Sequence, residues 1–225
     1  MSLKTKLACA LRPQNKTAFV ASLSPGSAVL DIGCGNRSAE RIKLVQPALR
    51  YVGVDVGDYL QTETSFNAMD RYLCVESPGF ADAILTIGEA FDAVISSHNI
   101  EHCEQPEQVV DAMCAALKPG GRLYFAFPSE ASVRFPKRAG TLNFYDDPTH
   151  RTPPNYLGLL GQLKANGMQI DSASQRSRPF AYAAAGLMIE PWSALTSKVD
   201  DRGAIWALWG FESIIWATKQ RHATA

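Results

Sequence analysis

Apolar residues along this chain follow two rhythms. Short runs bounded by glycine, proline or an acid alternate with longer stretches in which apolar positions recur every three or four residues. The short runs fall at 27–32, 51–54, 71–75, 91–96, 122–127, 168–174 and 212–218. Several are near-continuous in Val, Ile and Ala, the composition of strands buried on both faces. The helical rhythm predicts helices over 16–23, stopped by Ser24-Pro25-Gly26; over 38–46, followed by Pro47; over 78–87; over 106–117, closed by Lys118-Pro119-Gly120-Gly121; and over 153–166, ended by Gly167. Residues 57–69 are polar and weakly patterned and read as a loop with a short helix.

Strands alternating with helices fold into a mostly parallel sheet covered on both faces. The expectation is therefore one α/β domain over residues 1–225, doubly wound, with a mostly parallel seven-stranded sheet and helices on both faces. Two segments break the alternation. Residues 129–152 are long for a strand-to-helix connection, and residues 176–211 separate the last two strands and carry Trp192, Trp206 and Trp209. Insertions at strand ends are where such folds place substrate contacts. The first segment is expected as a substrate loop, the second as a lid or interaction element, including a homodimer contact.

Composition narrows the partners. With 22 basic and 22 acidic side chains the formal charge is zero, so the chain lacks the basic field that nucleic-acid binding uses. Arg134, Lys137 and Arg138 make a small basic patch, read as a solvated loop. The longest apolar stretch, 180–189, has ten residues, against about 20 for a membrane span. The apolar run Leu7 to Leu11 is too short for a signal peptide. Five scattered cysteines without CxxC spacing indicate neither a disulfide framework nor a metal site, and fit the reduced thiols of a cytoplasmic protein.

Candidate chemistry centres on Val29-Leu30-Asp31-Ile32-Gly33-Cys34-Gly35-Asn36 and on Tyr51-Val52-Gly53-Val54-Asp55. The order is strand, glycine turn, helix, strand, acid. Glycines without Cβ let a ligand approach bare backbone, and a carboxylate one crossover away can accept from two vicinal hydroxyls. A nucleoside cofactor fits that description.

With Phe91-Asp92-Ala93-Val94 followed by Asn99-Ile100-Glu101-His102, and with Leu117-Lys118-Pro119-Gly120-Gly121-Arg122-Leu123, the chain resembles the class I S-adenosylmethionine-dependent methyltransferases over residues 27–175. The resemblance implies S-adenosylmethionine as cofactor, held by Asp31, Gly33, Cys34, Gly35, Asp55, Val56, Ser97 and His98. It implies that Asp31 meets the cofactor's ammonium, that Asp55 accepts from both ribose hydroxyls, and that residues 76–80 frame the adenine. The rival is a nicotinamide site, whose GxGxxG pattern would put Ser38 at the third small position. A second rival is a catalytically silent cofactor-binding module, prompted by the tryptophan-bearing insertion.

Past strand four lie His98, Glu101 and His102. Glu101 suits the positive end of a helix, while His98 or His102 could serve as general base. In Asn143-Phe144-Tyr145-Asp146-Asp147-Pro148-Thr149-His150-Arg151 one reading is a polar loop held by Asx turns. The other is acceptor binding by Asp147, by His150 to a hydroxyl or phosphate, and by Arg151 to an acidic group, with His150 also a candidate base. A similar Asp-Pro-Thr-His run occurs in methyltransferases of bacterial glycan modification. Asp146 and Asp147 with a histidine match no metal spacing, and no metal is expected. The stretch Ser96-Ser97-His98-Asn99 lacks the Asn/Asp-Pro-Pro-Tyr/Phe signature of nucleobase amino methylation. A small molecule or glycan remains as acceptor, with oxygen favoured as the methylated atom.

Overall fold

The computed structural model describes residues 3–87, 90–199 and 203–221. In chain order the elements are α1 (Leu3–Leu11), α2 (Lys16–Ala21), β1 (Ala28–Ile32), α3 (Ser38–Val45), β2 (Arg50–Asp55), α4 (Glu63–Asn67), β3 (Arg71–Cys74), α5 (Phe80–Thr86), β4 (Phe91–Ser97), α6 (Pro106–Ala116), β5 (Leu117–Pro128), α7 (Tyr156–Ala165), β6 (Met168–Ser174), α8 (Phe180–Thr196), α9 (Ala204–Trp209) and β7 (Glu212–Lys219). The seven strands form one sheet in the order β3-β2-β1-β4-β5-β7-β6. Strands β1 to β5 pair in parallel, and β7 enters antiparallel between β5 and β6. The expected doubly wound α/β sheet is what the chain forms.

Alternation along fully buried strands divides the core in two. Leu30 and Ile32 pack with Val94, Phe125 and the α5–α7 residues Ile84, Val110 and Leu163. Val29 points the other way and packs with Tyr51, Ile95, Phe19 of α2 and Ile42 of α3. Asp31 therefore belongs by register to the α2–α3 face. Strand order reverses between β1 and β4, and the C-terminal ends of β1, β2 and β4 meet at that switch point, where sheets of this kind bind ligands.

The sequence pattern marks the last strand but not its direction. The insertion supplies the reason for the direction. It leaves β6 at the same sheet edge where it enters β7, so β7 must run back against its neighbours. Within the insertion, of which residues 200–202 lie outside the described residues, the chain forms α8 and α9. Together with the loop after β5 it builds a third small core of Phe135, Leu142, Ile205 and Phe211, against which Ile189, Trp206 and Trp209 pack. Trp206 Nε1 donates to the Thr141 carbonyl at 2.7 Å, and the Ser129 amide donates to the Phe211 carbonyl at 2.6 Å. Arg138, read from sequence as part of a solvated patch, is buried instead, with Nη1 and Nη2 2.8 and 2.7 Å from the two oxygens of Glu190. Arg134 and Lys137 are exposed.

The outward face of α8 is apolar, with Phe180, Leu187, Met188, Trp192 and Leu195 exposed. Among the described residues no helix is long and apolar enough to cross a membrane.

Candidate active site

The turn after β1 is shaped by its glycines and by what lies across from them. Gly33 has φ +73°, and a Cβ there would fall 2.6 Å from Asn99 side-chain atoms. Asn36 and Arg37 follow with φ 54° and 58°, a left-handed pair that turns the chain into α3. Gly33→Ala should destabilise the fold by roughly 2 kcal/mol, from the left-handed backbone and the displaced Asn99. Urea denaturation measures it, and a midpoint equal to wild type would contradict this account of the turn.

Asp31, the last residue but one of β1, is fully buried. Its Oδ2 accepts from Tyr51 Oη at 2.7 Å and from Ser38 Oγ, and Lys16 Nζ stands 3.4 Å away. Its Oδ1 is buried without a hydrogen-bond partner. An unsatisfied buried acceptor costs about 1–3 kcal/mol, which a ligand ammonium or its water would recover. Asp55 ends β2 with 5% exposure. Its Oδ2 accepts from the Gly35 amide and its Oδ1 from the Val56 amide, both at 2.7 Å. Burial raises the Asp55 pKa, opposed by these amides. Each oxygen retains a lone pair for a hydroxyl donor. The Cys34 side chain turns into the core against Gly53, so only its backbone can face a ligand.

Beside Asp55, Val56, Ser77, Pro78, Phe80, Asn99 and His102 line a cavity. Three of these fall in the 76–80 segment expected to frame an adenine. The orphaned Asp31 oxygen, the Asp55 carboxylate and this cavity lie at or just past the C-terminal ends of β1, β2 and β4, and the three suit the ammonium, ribose and base of S-adenosylmethionine. Ser97, the last residue of β4, is half-buried there.

The histidines take distinct places. His98 has φ 53°; its Nε2 lies 3.0 Å from Glu212 and its Nδ1 3.2 Å from Glu101. Burial pulls the imidazole pKa down, but the two carboxylates outweigh it and push it up to about 10. His98 thus holds its proton at neutral pH, which argues against the role of general base. His150 has a side chain only 4% exposed, with Nε2 3.9 Å from both Glu101 Oε1 and Asp147 Oδ2. Its Nδ1 donates to the Phe144 carbonyl at 2.6 Å. The His102 ring lies tilted against it, centroids 4.8 Å apart, with Nδ1 2.9 Å from Thr149 Oγ1.

The loop 143–151 is held by its own side chains, as the reading of a polar loop with Asx turns expects. Asp146 Oδ2 accepts from the amides of Arg138, Leu142 and Asn143, and Asp147 Oδ1 accepts from the amide and hydroxyl of Thr149 at 2.8 and 2.6 Å. Those are turn-forming roles. Arg151 Nε donates to the His102 carbonyl at 3.0 Å, and its Nη2 pairs with Glu104 at 2.9 Å. The guanidinium fastens the loop to the segment after β4 rather than standing ready for an acidic group. The fastening carries His150 over Glu101. Sequence reasoning passed over Glu101 as a helix-start residue; it is 1% exposed. Tyr51, Ser38 and Lys16 around Asp31 were also missed. A period-two count places Tyr51 in a buried strand, but its register with Asp31 follows only from β1–β2 pairing.

Residues 4–173 match the family described as a methyltransferase domain. The ubiquinone biosynthesis O-methyltransferase of Idiomarina loihiensis is 28% identical over 106 residues, which are 45% of this chain and 42% of that protein. The chain thus matches less than half the length of this curated relative. Among solved structures, the methyltransferase bound to the Trm112 methyltransferase activator of Haloferax volcanii superposes with TM-score 0.63 at 15% identity, covering 97% of this chain and 94% of that one. An S-adenosylmethionine-dependent methyltransferase from Mesorhizobium loti superposes with TM-score 0.60 at 16% identity, covering 93% and 95%.

Proposed function

The chain belongs to the methyltransferase-domain family, and from that premise we propose that it is an S-adenosylmethionine-dependent methyltransferase that methylates a hydroxyl oxygen of a small molecule or glycan. The family match displaces the nicotinamide reading of the glycine turn. One observation carries the choice of oxygen: two histidines beside the candidate cofactor site, His102 and His150, have their Nδ1 atoms engaged and their Nε2 atoms free of hydrogen bonds to the loop. Nδ1 of His150 faces a carbonyl, which only accepts. Thr149 Oγ1 gives its proton to Asp147 and so accepts from Nδ1 of His102. In the neutral form of each ring Nε2 then presents a lone pair, which is what the departing proton of a hydroxyl requires. The printed name of the Idiomarina relative, an O-methyltransferase, supports the same atom.

S-adenosylmethionine supplies a methyl group on a positively charged sulfur, open to displacement by an acceptor's lone pair. Asp55 would take its ribose hydroxyls, Asp31 Oδ1 its ammonium, and the wall from Val56 to Phe80 its base. The loop at 129–152 and the insertion at 176–211 share a small core and would shield the acceptor from water. Alignment of acceptor and methyl carries much of the rate in such a reaction. Its five free cysteines suit a reducing cytoplasm.

The test is transfer of labelled methyl from S-adenosylmethionine to a panel of phenols, sugars and amines. Methylation of hydroxyl compounds alone supports the proposal; methylation of amines alone sinks it. His150→Ala should leave cofactor affinity within about twofold of wild type and lower kcat by roughly 100-fold, the size of a typical proton-transfer contribution. Calorimetry and turnover read the two effects separately, and an unchanged kcat would remove His150 from the mechanism.

A further inference from the structure

We propose that Glu101, His102 and His150 form a binding site for a divalent transition-metal ion next to the cofactor site. One ligand atom from each lies within 4.8 Å of the others. The site is assembled from the segment after β4 and the loop after β5, which meet because the Arg151 amide donates to the Glu101 carbonyl at 2.8 Å.

The placement of the three side chains is what calls for a cation. Both histidines spend Nδ1 on loop oxygens, the second-sphere arrangement that fixes a tautomer and points Nε2 outward in metal sites. Glu101 is 1% exposed and neither of its oxygens accepts an aligned hydrogen bond. Oε1 stands 3.2 Å from Nδ1 of His98, which shares its charge with Glu212, and 3.9 Å from Nε2 of His150. One ligand atom of each histidine thus converges with a buried carboxylate whose oxygens find no aligned donor. Buried acceptors facing one another are costly unless something positive sits among them.

Two nitrogens and one carboxylate favour Zn2+, Co2+, Fe2+ or Mn2+; Mg2+ and Ca2+ prefer all-oxygen shells. Zinc–nitrogen and zinc–oxygen distances of about 2.0–2.2 Å require the three groups to draw closer by roughly an ångström. Three protein ligands leave open positions, as catalytic sites do, and Asp147 Oδ2 borders that side. If the reading of a hydroxyl acceptor holds, those positions would take its oxygen, and in metal-loaded protein the ion rather than a free Nε2 would favour loss of its proton, with His102 and His150 as ligands instead of bases. The metal site itself stands on its own geometry.

Tag-free, chelator-stripped protein should be titrated with Zn2+ by calorimetry and with Co2+ by visible absorption, each alongside a titration with S-adenosylmethionine. Expected is one equivalent of metal, with affinity reduced at least about 100-fold in Glu101→Gln and His150→Gln, while cofactor affinity is kept. Should Glu101→Gln fail to fold, His102→Gln takes its place. No metal uptake by wild type, or unchanged uptake in the variants, overturns the site. If wild type binds S-adenosylmethionine but not metal, this inference alone fails; if it binds metal but not S-adenosylmethionine, the metal site stands and the reading of the cofactor site fails.

Discussion

Asp55→Ala is expected to lower the affinity for S-adenosylmethionine by about 2–3 kcal/mol, roughly 30- to 150-fold, while the domain stays folded. The carboxylate is placed by the amides of Gly35 and Val56, so it arrives preoriented and a ribose would pay little to meet it. Hydrogen bonds to an ionised acceptor contribute about 1.5–3 kcal/mol each when the partner is otherwise left unsatisfied. Loss of both would exceed the expected range, but water can enter the vacated space at this rim and solvate the ribose hydroxyls and the two amides. Stability should fall less than affinity, because Asp55 is at a strand end and its amide partners can reach solvent. Calorimetry with S-adenosylmethionine and with S-adenosylhomocysteine measures the change. Equal affinity in variant and wild type would place the ribose elsewhere and would also undo the assignment of the β2 end.

Arg138→Ala is expected to have the largest effect on stability, about 3 kcal/mol. Nη1 and Nη2 of Arg138 face the two oxygens of Glu190, and Nη1 also donates to Ser193 Oγ at 2.8 Å. The Arg138 side chain is 5% exposed and that of Glu190 is 21%. Removing one member of a buried pair costs about 3–5 kcal/mol because the other is left charged and desolvated; the partial exposure of Glu190 argues for the lower end. The pair joins the loop after β5 to α8, so its loss should also free the insertion. Limited proteolysis should then cut between 176 and 211 in the variant before it cuts the sheet. If the insertion serves as a lid, KM for the acceptor rises and cofactor affinity holds. If it serves as an interface between copies, the oligomeric state changes instead. Urea unfolding at wild-type midpoint would mean that the ion pair contributes no net stability.

How far the chain could be read unaided depended on the range of the interactions involved. The strand after Ser27 announces itself by Val29-Leu30 and the helix after it by the glycines that precede it, since both are written in neighbours a few residues apart. Asp31, Gly33, Gly35 and Asp55 were legible for the same reason: each stands at a fixed step from a strand end, and a parallel crossover brings consecutive strand ends side by side. The short strand β3 and α4 were weaker because their burial pattern is mixed. The first helix, α1, was not anticipated: none of its residues is buried, so it leaves no clear core-facing stripe. The helical form of α8 was missed because apolar residues cover its outward face as well, which blurs the amphipathic stripe that a solvent-exposed helix usually shows.

The sequence by itself thus determined the sheet, its handed alternation with helices, and the carboxylate-bearing ends of β1 and β2, because hydrophobic period and turn chemistry act locally. Tertiary structure alone decided that β7 runs backward, that Arg138 is an internal ion-pair partner, and that Glu101, His102 and His150 converge. Arg138 and Glu190 are 52 positions apart, and His102 and Thr149 are 47 apart. Contacts at such separations are chosen by how whole elements pack and by the need to satisfy every buried charge, and no periodicity in the chain records them.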